Sequence, residues 1–172
     1  MSSYKSFETE RLLLKPMSKE DAPFLLDLLN SPKWIKYIGD RNVYTIKEAA
    51  TYIKLKMTPQ LKKLGFSNYT VIRKIDYAKV GSCGLYDREG LEGIDLGFAF
   101  LPQYEKMGYA FESANKLKDL AFNQFNLKHI SAITTNENKD SQKLLEKLGF
   151  KFKKIINIPN DNEELLLYGF RS

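Results

Sequence analysis

The apolar positions change their period several times along this chain, and the changes mark its elements. Phe7 to Lys15 holds the run Leu12, Leu13, Leu14 of a strand. Ser18 followed by Asp21 has the spacing of a capped helix start, which predicts a helix from about Ser18 to Asn30. Ser31 and Pro32 then interrupt, an aromatic stretch carries Trp34 and Tyr37, and Thr45 with Glu48 opens a second capped helix ending near Gly65. Three segments rich in β-branched and aromatic residues follow, at 66–74, 79–86 and 93–101, with turn residues at Asp76 and over 87–90. They predict an antiparallel meander.

From Gly108 onward Ala110, Ala114, Leu117 and Ala121 recur at steps of four, three and four, widened by Phe111 and Leu120, and this is a helix face. His129 to Thr135 reads as a strand, Asn138 to Leu148 as a short helix closed by Gly149, and 150–158 with 163–170 as a final strand pair. The predicted order is β-α-α-β-β-β-α-β-α-β-β. With 172 residues and no linker-like or repetitive stretch, the chain is expected to form one domain over 1–172, its core at about 7–170.

Composition narrows the class. At 43% hydrophobic and 28% charged the chain is an ordinary folded protein, and no apolar run approaches the roughly 20 residues of a membrane-spanning helix. The opening Met1 to Ser6 lacks an apolar signal core and Cys83 has no second cysteine to pair with, so a cytoplasmic protein is expected. The 27 basic and 21 acidic residues give +6, but the excess is dispersed, which argues against nucleic acid and equally suits a phosphorylated ligand or plain solubility. His129 has no metal-ligand spacing around it, and Cys83 lies between Ser82 and Gly84 on a strand, where a small buried residue is the simpler reading than a nucleophile; no metal is expected.

The chemistry is expected where the strand ending at Leu101 passes through Pro102 into the helix that opens at Gly108, because a helix start offers unpaired N–H groups to an anion. Around that point the residues resemble a known family. Ile94 to Pro102, Tyr104-Glu105-Lys106-Met107-Gly108-Tyr109-Ala110, Asn136-Glu137-Asn138-Lys139-Asp140-Ser141 and Leu145 to Phe150, in that order, resemble the GNAT superfamily of N-acetyltransferases. Glu8 to Pro16 resembles more narrowly the branch of the ribosomal-protein-alanine N-acetyltransferases, and the likeness runs from about Phe7 to Phe170.

The resemblance implies an α/β fold with a central mixed, mostly antiparallel sheet of about seven strands flanked by about four helices. It implies acetyl-coenzyme A as cosubstrate and a primary amine, on a small molecule or a protein N-terminus, as acceptor. The family's loop signature, Gln/Arg-x-x-Gly-x-Gly/Ala, falls on Glu105, Lys106, Met107, Gly108, Tyr109 and Ala110; it departs at Glu105, and Lys106 stands where this branch often has glycine. Phe98, Ala99, Phe100 and Leu101 would carry the pantetheine arm along their backbone, with Asn136 and Asn138 on its other side; Asn138 is also a natural helix cap.

Asp95 is the candidate base and Ser141 the candidate acid by the same resemblance, since the tyrosine many members place on the last helix is replaced here by Leu144 and Leu145. A solvated or paired strand carboxylate is the competing reading of Asp95. Trp34 and Tyr37, with Tyr44, fall on the wall that borders the acceptor, core packing being the rival for Trp34. The alternative function is a coenzyme-A-binding or protein-interaction module without efficient turnover, motivated by Glu105, Lys106 and the missing tyrosine. No membrane partner is expected, and the assembly is a monomer or homodimer.

Overall fold

A computed structural model describes residues 4–171. Its strands are β1 (Phe7–Glu8), β2 (Leu12–Pro16), β3 (Asn68–Arg73), β4 (Lys79–Asp87), β5 (Ile94–Phe100), β6 (His129–Thr135), β7 (Lys151–Ile156) and β8 (Leu165–Arg171). They form one sheet in the order β1-β2-β3-β4-β5-β6-β8-β7. Every neighbouring pair is antiparallel except β5 and β6, which run parallel. The meander β3-β4-β5 predicted from the β-branched and aromatic segments and their turn residues is present.

The helices are α1 (Ala22–Leu29), α2 (Pro32–Tyr37), α3 (Ile46–Tyr52), α4 (Thr58–Leu64), α5 (Tyr109–Asn123) and α6 (Lys139–Lys147). The sheet has one strand more than the expected seven because the first predicted strand folds back on itself. The Thr9 N–H donates to the Leu12 carbonyl at 2.9 Å and the Thr9 hydroxyl accepts from the Leu12 N–H at 3.0 Å. This turn splits 7–15 into a hairpin in which Phe7 faces Leu14.

The single helix expected over 45–65 is likewise divided. Thr45 caps α3 by accepting from the Glu48 N–H at 3.1 Å, as its spacing predicted. Pro59 then stands in the first turn of α4, and a single π turn, Ile53–Met57, joins the two helices. A proline has no N–H to continue the ladder, and the wider turn absorbs the break. Pro32 similarly opens the short α2 within the aromatic stretch.

The two faces of the sheet bury different surfaces. On one, α5 and α6 press Ala114, Leu117, Leu120, Ala121, Leu145 and Leu148 against Leu12, Leu14, Val71, Leu85, Leu96 and Ile130. The stripe read at steps of three and four is this face, with Tyr109 added at its N-terminal end. On the other, α1 and α3 build a smaller cluster from Phe24, Leu25, Leu28, Leu29, Ala49 and Ile53, against which Trp34 and Ala99 pack. Cys83 is fully buried in the first cluster, where burial pushes its thiol up to about 12, so it is a packing residue and not a nucleophile. Among the described residues no helix is long and apolar enough to cross a membrane.

Candidate active site

β5 and β6 meet at one ladder step, Asp95 opposite Ser131. By contrast β5 pairs with β4 over seven positions and β6 with β8 over seven. Beyond Asp95 the β5 edge that faces β6 is therefore unpaired through Phe100, and the strands part toward their C-terminal ends. Backbone N–H and C=O groups left in this way need partners, and an extended ligand arm is one that fits a strand edge. Phe98 and Phe100 pack on the α5 side and Ala99 on the α1 side, so their side chains fill both clusters while the edge stays open.

The gap opens toward the start of α5. Gly108 is the residue before the helix, at φ +83°, and Lys106 lies at φ +61°. Two left-handed residues in three turn successive N–H groups the same way, and from Lys106 to Phe111 none finds an acceptor among the described residues. A Cβ at Gly108 would meet the Arg11 guanidinium at 3.1 Å. The loop is thus a cradle of backbone donors at a positive dipole end, and it fits a diphosphate.

Arg11 fixes this cradle from below. Its Nη1 donates to the Met107 carbonyl at 2.9 Å, its Nε to Glu112 at 2.7 Å, and its guanidinium lies 4.5 Å from the centre of the Tyr109 ring. Glu112 accepts also from the Arg11 N–H at 2.9 Å and from the Thr9 hydroxyl. Burial works against its charge, but the Thr9 and Arg11 donors hold its carboxyl below the usual range. The β1–β2 turn is what brings Thr9 and Arg11 to α5.

Glu105, at the head of the loop, is paired with α2. Its carboxylate accepts from Lys33 of α2 at 2.7 Å, and the same ammonium lies 3.6 Å from Asp140 in the first turn of α6. Across the gap, Asn136 is exposed and Asn138 caps α6, its Oδ1 accepting from the Ser141 N–H at 3.2 Å. Its amide nitrogen and the half-buried Ser141 hydroxyl find no partner among the described residues.

On the α1 side of the sheet, Asp95 is 1% exposed, and both of its oxygens accept from Arg88, at 3.2 and 3.1 Å. Burial raises its carboxyl above the usual value, with Arg88 working in the opposite direction. Arg88 lies 5.5 Å from the centre of the Tyr86 ring, whose hydroxyl donates to Asn68 at 2.6 Å. That ring lies flat on the sheet because Gly97 leaves room: a Cβ there would come within 2.8 Å of it. Enclosed as it is, Asp95 reaches a substrate only through a bridging water or by parting from Arg88.

Trp34 packs on the α1–α3 cluster with its indole Nε1 enclosed and without an acceptor among the described residues. Thr135, at the end of β6, carries a buried hydroxyl in the same condition. Tyr37 sets its ring 5.0 Å from the Lys36 ammonium, while Tyr44 is exposed and bonded to Asp40 at 2.6 Å. Residue types alone had not pointed to Arg11, Lys33, Tyr86 or Arg88; each gains its role from partners brought by the fold.

The family model described as an acetyltransferase (GNAT) domain matches residues 11–151. The chain belongs to the GNAT acetyltransferases. Among curated relatives of this acetyltransferase, the uncharacterized N-acetyltransferase p20 of Bacillus licheniformis is 32% identical over 146 residues, 83% of this chain and 80% of p20. A crystal structure of a GNAT-family acetyltransferase from Bacillus anthracis superimposes with a TM-score of 0.79 at 25% identity, covering 97% of this chain and 98% of that one. A structure of RimL, a ribosomal alpha-N-protein acetyltransferase in complex with coenzyme A, shares the fold with a TM-score of 0.82 at 12% identity, covering 97% and 98%. The N-acetyltransferase class and the GNAT fold read from the sequence are thereby borne out.

Proposed function

We propose that this acetyltransferase moves an acetyl group from acetyl-coenzyme A to a primary amine within one ternary complex. The observation that carries the reading is the juxtaposition of the open β5 edge with the unpaired N–H groups of Lys106 to Phe111. A coenzyme with a diphosphate at one end and an amide-bearing arm at the other matches both features at once. RimL, of the same fold, is named as a complex with coenzyme A, which supports the reading.

Acetyl-coenzyme A supplies the activated acetyl thioester when bound. Loop 105–110 binds the diphosphate through its backbone, the edge from Phe98 to Leu101 takes the arm, and the free amide nitrogen of Asn138 steadies it from the α6 side, with Asn136 beside it. On the acceptor side, Asp95 takes the proton from the amine through a water, its raised carboxyl better matched to that task than an ordinary one. The unpartnered Ser141 hydroxyl hydrogen-bonds the leaving sulfur. Trp34 and Tyr37 border the acceptor. The acceptor is a small amine or a protein N-terminus. Calorimetric titration with acetyl-coenzyme A, followed by thiol-release assays over a panel of amines and N-terminal peptides, tests the reading.

A further inference from the structure

Glu105 places a carboxylate at the leading position of a loop whose backbone is built for an anion. Left bare, that charge would oppose a diphosphate bound on the same loop. The fold answers from a distant part of the sequence: Lys33, 72 residues earlier, delivers its ammonium to Glu105 at 2.7 Å. The contact holds Lys33 ionised, chiefly through the hydrogen bond to Glu105. Glu105 is mostly enclosed, its side chain 21% exposed against 48% for Lys33, so solvent screens its charge less than that of an open surface residue.

We propose that Lys33 is a coenzyme-positioning residue that acts through Glu105: α2 supplies the positive charge missing from the head of the loop, and the Lys33 ammonium offsets the Glu105 charge that the diphosphate would otherwise meet. This rests on the reading of loop 105–110 as the coenzyme site. Asp140, 3.6 Å from the same ammonium, extends the contact to α6, so that Lys33 joins the two walls flanking the β5–β6 gap. Because α2 also bears Trp34, coenzyme affinity and the acceptor wall share one helix.

The test is calorimetric titration of acetyl-coenzyme A into the wild type, Lys33→Met, Glu105→Gln and the double variant, at low and high salt, each first checked for unchanged thermal unfolding without ligand. Lys33→Met is expected to weaken binding about three- to ten-fold at low salt and less at high salt, the scale of one screened charge at this range. Lys33→Arg should bind as the wild type does. Glu105→Gln should bind no more weakly than the wild type, and Lys33→Met should cost nothing further in that background. Unchanged binding by Lys33→Met overturns the proposal, as does an equal loss in the Glu105→Gln background, which would mean that Lys33 acts on the coenzyme directly. A wild type that binds no acetyl-coenzyme A overturns the coenzyme site itself, a result distinguishable from both.

Discussion

Asp95 of β5 faces Ser131 of β6 in the one ladder step that joins β1–β5 to β6–β8. The base candidate therefore stands at the vertex from which the two strands diverge, at the closed end of the gap proposed for the pantetheine arm. Under the proposed binding mode, an acetyl group carried to the end of that arm would arrive beside Asp95, which is 1% exposed.

Asp95→Asn keeps the side chain's shape and removes its basicity. General-base catalysis contributes typically 10²–10⁴-fold, and kcat is expected to fall by about 100-fold with KM for acetyl-coenzyme A little changed. Because burial raises its carboxyl, activity of the wild type should climb with pH on a limb displaced upward from the ordinary carboxylate value, and that limb should vanish in the variant. Rates from pH 4 to 9 check both; a kcat within threefold of wild type would remove Asp95 from the mechanism.

Glu112 ties the β1–β2 turn to α5, and its consequence is a pH dependence of stability. Its folded-state carboxyl lies below the unfolded value near 4.5, so its stabilisation is fully present above that value and is lost as pH falls through the lower, folded one. Glu112→Gln is expected to cost about 1 kcal/mol at pH 7, a few degrees of Tm. The gap between the two proteins should narrow steadily below pH 4.5 in parallel thermal melts. A gap that persists unchanged at pH 3 would show that charge is not what Glu112 contributes.

Asn138 combines the two roles that the sequence left open, capping and ligand contact, and substitution separates them. Asn138→Asp retains an oxygen for the Ser141 N–H and should keep Tm, while losing the amide donor and raising KM for acetyl-coenzyme A several-fold. Asn138→Ala should do both, lowering stability by about 1 kcal/mol through the lost cap. Ser141→Ala is expected to leave binding intact and lower kcat about tenfold or less, in keeping with a hydroxyl that assists the leaving sulfur.

What the sequence disclosed follows from the range of the interactions. The α5 stripe, the Thr45 cap and the β3–β5 meander are local patterns, in which each residue's neighbours lie a few positions away. The same holds for Gly108 and Asn138, whose functions are largely those of a backbone turn and a cap. Arg88 on Asp95, Arg11 on Met107 and Lys33 on Glu105 are side-chain meetings decided by the fold, the last two across 96 and 72 residues, and no periodicity encodes them. The break in the first strand escaped for a different reason: a Thr9 hydroxyl closing on Leu12 is a short-range competitor of the strand ladder, hidden inside a run that otherwise reads as extended.

The central claim is that loop 105–110 holds the diphosphate of acetyl-coenzyme A, and calorimetric titration of the wild type beside Gly108→Asp tests it most directly. Asp is among the residues that tolerate the left-handed conformation, and the Arg11 guanidinium 3.1 Å from its Cβ is the end of a flexible side chain, so the substitution should cost about 1 kcal/mol of stability while setting a negative group beside the cradle. Saturable binding by the wild type, abolished in a variant that still melts cooperatively, is the predicted result. A folded wild type that shows neither heat nor a thermal shift with acetyl-coenzyme A, or a Gly108→Asp variant that binds as tightly, would contradict the account.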